Sequence, residues 1–240
     1  MLQWSQGNIL RPGDPYEISN NIYVVGSSEL TDPRDCAVYL IDLGELVLVD
    51  AGAGPSASQI VRNIERVGKD PSKLSTVILT HCHVDHSGGA ALFQKRFRAR
   101  IVMHDQDAEA VEKGDTRMTA AQWYNLPFAP TPVSVRLSGE EQVLVFGSRS
   151  IAWLHTPGHT PGSISLYLDL GGERFLFGQD IHGPFHADFG SNLVAWRTSM
   201  HRLLALKADV LCEGHFGVYK PKERVSAYIN QYLEAYAENG

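Results

Sequence analysis

The sequence predicts an α/β fold in which two sheets meet face to face between outer layers of helices. Three observations lead there. Short apolar, β-branched runs recur along the chain, amphipathic helical stretches fall between them, and a second strand-rich block opens near Val133. Sheets and helices that are each apolar on one side bury those sides best in stacked layers.

Strands are expected at residues 22–25, 37–41 and 46–49. A helix follows at 56–67, where Ile60, Ile64 and Val67 share one stripe. Strands at 77–79 and 101–103 alternate with helices at 89–96 and 106–113. The second block supplies strands at 143–146, 151–154, 164–168 and 175–177. A helix at 193–206 carries Leu193, Trp196, Met200 and Leu203 on one face; a strand at 210–212 and a helix at 223–237, with Val225, Tyr228, Ile229, Tyr232 and Tyr236, close the chain. Residues 114–132, with Trp123, Tyr124, Phe128 and three prolines, form the least regular stretch and are expected to be a long functional loop that gates the pocket.

A chain of 240 residues, 43% hydrophobic and 20% charged, reads as one domain spanning 1–240. The opening stretch 1–15 has neither a basic start nor an apolar run, and the longest apolar runs are strand-sized, so neither export nor a membrane anchor is expected. Cys36, Cys82 and Cys212 are too few and scattered for a disulfide framework, which points to a reducing, cytoplasmic compartment. A net charge of −6 without a dense Lys/Arg tract argues against nucleic acid as a partner.

The chemistry is concentrated in Thr80-His81-Cys82-His83-Val84-Asp85-His86-Ser87-Gly88-Gly89, directly after an apolar strand. Four potential ligands within six residues, where a buried strand emerges, converge on one small volume; imidazole and carboxylate together suit zinc and other borderline divalent metals. His159, Asp180 and His215 each follow a separate apolar strand. Ligand types at several strand ends are what a metal cleft at a sheet edge requires. Isolated histidines such as His104 and His201 read instead as surface or hydrogen-bonded core residues.

This pattern resembles the metallo-β-lactamase superfamily, whose HxHxDH run is followed by a separate His, Asp and His. The likeness runs from about Ile22 to the chain end. It implies a four-layer αββα sandwich with two divalent metal ions at the edge of the sheets, zinc being the expected element and iron or manganese the alternatives. Carried onto this sequence, His81, His83 and His159 hold the first ion, Asp85, His86 and His215 the second, and Asp180 bridges both. The ions are expected to share a hydroxide that attacks a small ester-like substrate: a thioester, lactone, or related acyl or phosphoryl ester. Two carboxylates against two divalent ions leave the centre net positive, which acidifies water and stabilises a nearby oxyanion. Cys82, between two ligands, is expected to point away and to be structural.

Departures from the family's members narrow the reading. Lactamases proper lack the bridging carboxylate that Asp180 supplies, so antibiotic hydrolysis is not the expected activity. Type II glyoxalases share the run 80–86 and the turn 156–162 but add a C-terminal helical domain, whereas only residues 216–240 follow His215. A mononuclear iron oxygenase of the persulfide dioxygenase kind is the alternative activity. The catalytic set is read as Asp85, Asp180 and His182, the last as a substrate contact, a proton donor, an orienting group for Asp180 or a plain structural residue. Trp123, Tyr124, Phe128 and Phe185 are expected to wall the substrate pocket, or else to pack the loop down or form a homodimer contact.

Overall fold

The computed structural model describes residues 13–19 and 21–237, together with the backbone of two short paired strands, β1 (Trp4–Ser5) and β2 (Asn8–Ile9). Most of the opening stretch 1–15, read above as carrying no export signal, therefore lies outside the described residues, as do 238–240.

A seven-stranded sheet runs in sequence order through β3 (Tyr16–Ser19), β4 (Ile22–Gly26), β5 (Val38–Asp42), β6 (Leu46–Val49), β7 (Leu74–Ile78), β8 (Arg100–His104) and β9 (Val135–Leu137). Its first half is antiparallel. From β6 onward neighbours are parallel, because each connection carries a helix or a long crossing segment. The crossing helices are α1 (Ala57–Arg66), the single turn α2 (Val84–Ser87), α3 (Ala90–Phe97), α4 (Asp105–Lys113) and the single turn α5 (Ala121–Tyr124).

The six-stranded sheet consists of β10 (Glu141–Phe146), β11 (Arg149–His155), β12 (Ile164–Leu170), β13 (Glu173–Gln179), β14 (Val210–Glu213) and β15 (Val218–Tyr219), again in sequence order. Helix α6 (Leu193–Ala205) makes the crossover that lets β14 pair parallel to β13, and α7 (Lys222–Ala235) is the last element described.

Three apolar clusters make the layers. Val24, Tyr39, Val49, Ile78 and Val102 of the first sheet meet Phe146, Trp153, Leu166, Phe175 and Phe177 of the second. The opposite faces of the strands carry Val25, Leu40, Leu48 and Val77 against Ile60, Ile64 and Phe93 of α1 and α3. Leu176 and Leu211 carry Trp196, Met200 and Leu203 of α6 and Val225, Tyr228 and Ile229 of α7. The order is helix, sheet, sheet, helix, as the sequence predicts. The predicted stripe of α1 is buried at Ile60 and Ile64, and Val67 falls just beyond its end, where it is partly buried. No helix among the described residues is long and apolar enough to cross a membrane.

The sequence reading missed β3, β9 and β15, which are short and only partly buried. It also missed α2, because the ligand run hides a helical turn behind polar residues. Residues 114–132 contain one regular turn, α5, bounded by Ala120 and Asn125 at φ 54° and 50°.

Candidate metal centre

Strand ends position the site. β7 leads into the 80–86 run, β11 into the turn bearing His159, β13 into Asp180 and β14 into His215. The pairing of β13 with β14 shifts register between Phe177 and Gln179, and Gln179 takes φ 51°. This irregularity turns the chain sharply just before Asp180, as bulges beside active sites do. Asp50, at the end of β6, sits at φ 64°, a left-handed conformation that aspartate tolerates better than most residues.

The seven residues proposed as ligands converge into two groups that share Asp180. His81, His83, His159 and Asp180 form one; Asp85, His86, Asp180 and His215 form the other, and within each group one ligand atom per residue lies within 4.8 Å of the rest. His159 Nε2 is 2.9 Å from His83 Nδ1 and 3.4 Å from Asp180 Oδ2. On the other side, His86 Nε2 is 3.1 Å and His215 Nε2 3.4 Å from Asp180 Oδ1, and His215 Nε2 is 3.2 Å from Asp85 Oδ2. One oxygen of Asp180 thus faces each group. His104 and His201 belong to neither: His104 stacks on His155 with ring centroids 4.0 Å apart, and His201 lies exposed on α6.

The donors fit divalent cations. His81 Nε2 is buried and has no hydrogen-bond partner among the described residues. A buried polar atom left this way is costly unless something outside the polypeptide completes it. Gly214 adds to the cradle, because a Cβ there would fill the space taken by Asp180 Oδ1.

The charges divide along the same line. In the bare cluster, burial pushes His83 down to about 4 and His159 down to about 3. Burial, with His86, His83 and His159 alongside, also holds His81 well below the ordinary range. All three are neutral, the form in which an imidazole binds a metal. Burial opposes a charge on His215 too, yet Asp180 and Asp85 outweigh it and raise the ring to about 10; His86 is raised likewise, by Cys36, Asp180 and Asp50. Burial disfavours ionised Asp85 and Asp180, but His86 and His215 hold the first at about 2 and the second well below its ordinary value.

A second tier of contacts orients the ligands, and sequence reasoning did not find it. Asp50 Oδ2 lies 2.8 Å from His86 Nδ1 and also accepts from Thr80 Oγ1, which in turn reaches His81 Nδ1 at 3.1 Å. Asp107, fully buried, accepts from Cys82 N at 2.9 Å, Thr160 Oγ1 at 2.7 Å and Gly162 N at 2.7 Å. It binds the loop of His81 and His83 to the loop of His159. Glu213, also fully buried, accepts from the amides of His215 and Phe216 through Oε2, and its Oε1 lies 3.0 Å from His182 Nδ1. The only sequence hint was an acidic residue at the end of an apolar strand, as in Leu46–Asp50 and Val210–Glu213. Cys82 turns its sulfur to Met118 O at 3.3 Å, into the core and away from the ligands.

The groups open onto a cleft of about 940 Å³ lined by His83, Asp85, Asp180 and His215 and by Trp123, Tyr124, Phe189 and His182. The Tyr124 hydroxyl donates to Asp85 Oδ2 at 3.1 Å. Two of the expected wall residues are elsewhere. Phe128 packs on the core under the first sheet, and Phe185 packs, partly buried, on Trp196 of α6 and on Tyr236 just after α7, because the chain turns after His182 toward those helices. Phe189, which sequence reasoning passed over, stands at the cleft instead, 4.4 Å from the His83 ring.

Comparison with known proteins agrees with this arrangement. The chain is 30% identical over 132 residues to the probable metallo-hydrolase MJ0888 of Methanocaldococcus jannaschii, covering 55% of this chain and 61% of that one. It is 30% identical over 186 residues to the acyl-coenzyme A thioesterase MBLAC2 of Gallus gallus, covering 69% of this chain and 64% of that one. The chain thus spans less than two thirds of the length of either relative. The FEZ-1 metallo-beta-lactamase of Legionella gormanii shares the fold, with a TM-score of 0.81 at 19% identity over 97% of each chain. A family model described as the metallo-beta-lactamase superfamily matches residues 31–215, which takes in every one of the seven converging residues, and the chain belongs to that superfamily.

Proposed function

We propose that this chain is a dinuclear metallohydrolase that cleaves a small acyl ester, either a thioester or a lactone. One observation carries the reading: two complete donor groups share one buried carboxylate at the floor of an open cleft. The thioesterase name of the chicken relative supports an acyl substrate. The completeness of the second group, Asp85, His86, Asp180 and His215, favours two ions over the single iron of an oxygenase.

Two divalent ions, with zinc the expected element, supply Lewis acidity and an acidic water when bound. The polypeptide does the rest. Asp50 and Thr80 fix the rings of His86 and His81, and Glu213 fixes that of His182. With Nδ1–H donating to Glu213, His182 keeps Nε2 free to take up the proton released by the attacking water and pass it to the departing oxygen or sulfur. Tyr124 holds Asp85 from the cleft side, and Trp123 and Phe189 give the acyl group an apolar wall.

The test is Asp180→Asn together with metal analysis. The native protein should hold two equivalents of divalent metal and hydrolyse thioesters or lactones. The variant should lose about two orders of magnitude or more in kcat that excess metal does not restore. A single ferrous ion with oxygen consumption, or full activity of the variant in trace metal, would overturn the proposal.

A further inference from the structure

The cleft's walls carry information about the part of the substrate that does not react. Beyond the ligands it extends along Tyr16, Val24, Leu30, Pro33, Ala37 and Tyr39. Val24, Ala37 and Tyr39 belong to the apolar layer between the two sheets, and Tyr16 and Leu30 pack against it. The cleft therefore opens into the end of the inter-sheet core.

This alcove adjoins the second donor group directly. Ala37 N donates to Gly214 O at 2.7 Å, one residue before His215, and Cys36 N donates to Asp85 O at 3.3 Å. A chain leaving a carbonyl at the centre meets apolar surface at once.

The charges point the same way. Among the described residues no lysine or arginine lines the cleft; apart from the ligands and His182, its one ionisable group of either sign besides tyrosine is Glu29, at the alcove's rim. Arg34 and Arg117, in segments next to lining residues, are each paired with a carboxylate, Asp32 and Asp188. Among the described lining residues, a phosphate or carboxylate borne far from the reacting carbon would find no counter-charge and would face Glu29.

We infer that the substrate is uncharged away from its scissile bond, with an apolar acyl chain running from the metal centre into the alcove at Val24, Leu30 and Ala37. This rests on the acyl-ester reading above and narrows it. Lactones and neutral thioesters fit; thioesters of polyanionic carriers do not.

The experiment compares thioesters of one acyl series on an uncharged thiol, N-acetylcysteamine, with the same series on coenzyme A, using the metal-loaded protein. For the neutral series, kcat/KM should rise by about threefold per added methylene until the alcove is filled. Each coenzyme A ester should be poorer than its neutral counterpart by roughly tenfold or more. Ala37→Leu, which shortens the alcove, should move the best chain length down by about two to four carbons. Coenzyme A esters that match or exceed the neutral ones, or rates indifferent to chain length, would overturn the inference.

A binding measurement separates it from the function itself. Calorimetry with decanamide, which has the chain but no labile ester, and with free coenzyme A needs no turnover. Tighter binding of the amide supports the alcove even if no ester is hydrolysed, in which case only the acyl-ester reading falls. Tighter binding of coenzyme A removes the alcove as the substrate's seat, whether or not esters turn over. If Ala37→Leu does not fold, these two ligands on the native protein still decide the question.

Discussion

Asp50 Oδ2 lies 2.8 Å from Nδ1 of His86, and the two residues are 36 positions apart, one just after β6 and the other in α2. The carboxylate leaves the ring's Nε2 facing Asp180 and Asp85, so it acts on the second donor group without belonging to it. Orienting partners of this kind are typically worth 10–100-fold in metal affinity. Asp50→Ala should therefore weaken the second ion by about that factor and the first, which Asp50 reaches only through Thr80 and His81, by less, as read by competition with a chelator. Two ions held as tightly as in the native protein would remove Asp50 from the account.

Asp107 should matter more for stability than for chemistry. Asp107→Ala strips the acceptor from Cys82 N, Thr160 Oγ1 and Gly162 N, all buried. Buried donors left unpaired cost about 1–3 kcal/mol each, and partial relaxation leaves an expected loss of about 2–4 kcal/mol. Thermal or denaturant unfolding of the metal-free protein measures it. A change below about 1 kcal/mol would mean that the two loops are held together by other contacts.

Glu213→Gln should separate orientation from charge. The amides of His215 and Phe216 both need an acceptor at Oε2, so the glutamine carbonyl should take that place and turn its NH2 toward His182 Nδ1. Nδ1 then has to accept rather than donate, the proton moves to Nε2, and that atom can no longer take up the proton it must pass to the leaving group. Turnover should fall by about a hundredfold with metal content unchanged. Adding His182→Ala to this variant should cost little more, since the two residues act as one unit. Independent, multiplicative losses would show that Glu213 does not work through His182.

Metal loading should depend on pH at one site only. In the metal-free protein His83, at about 4, and His159, at about 3, are neutral around pH 7, so the first ion displaces no proton from them. His215, raised to about 10, is protonated there, and His86 is raised as well, so both must give up a proton to the second ion. Affinity for that ion should rise by about tenfold per pH unit for each proton displaced, and so by more than tenfold per unit near pH 7. Calorimetry in buffers of different ionisation enthalpy counts the protons released. The lowered pair has a linked consequence for the metal-free fold: the unfolded chain takes up protons first, so stability should fall as pH drops from about 6.5 through 4. His215 contributes with the opposite sign, adding stability at low pH that is lost as pH rises through about 10.

The three thiols should be inert in the native protein. Cys36, Cys82 and Cys212 are buried, and burial pushes each well above the ordinary thiol range. A thiol-specific chromogenic reagent should titrate none of them before unfolding and three afterwards. Rapid reaction of one thiol in the folded, metal-loaded protein would contradict this packing.

The sequence by itself determined the layers and the ligand types. Period-two and helical apolar patterns dictate which face of each element is buried, and Ile60 with Ile64, or Trp196 with Met200, could only turn inward. Four ligand residues between His81 and His86 are a local fact, readable without a fold. Tertiary structure alone decided the rest. Asp50, Asp107 and Glu213 are single acidic residues with no motif around them, and their meaning lies in partners 36, 25 to 55, and 31 positions away. Phe185 and Phe189 are four residues apart with the same side chain, yet one packs on Trp196 and Tyr236 and the other stands at the cleft. Which of two like aromatics reaches the cleft depends on the path of the chain after Asp180, and that path is set by long-range packing that local periodicity does not encode.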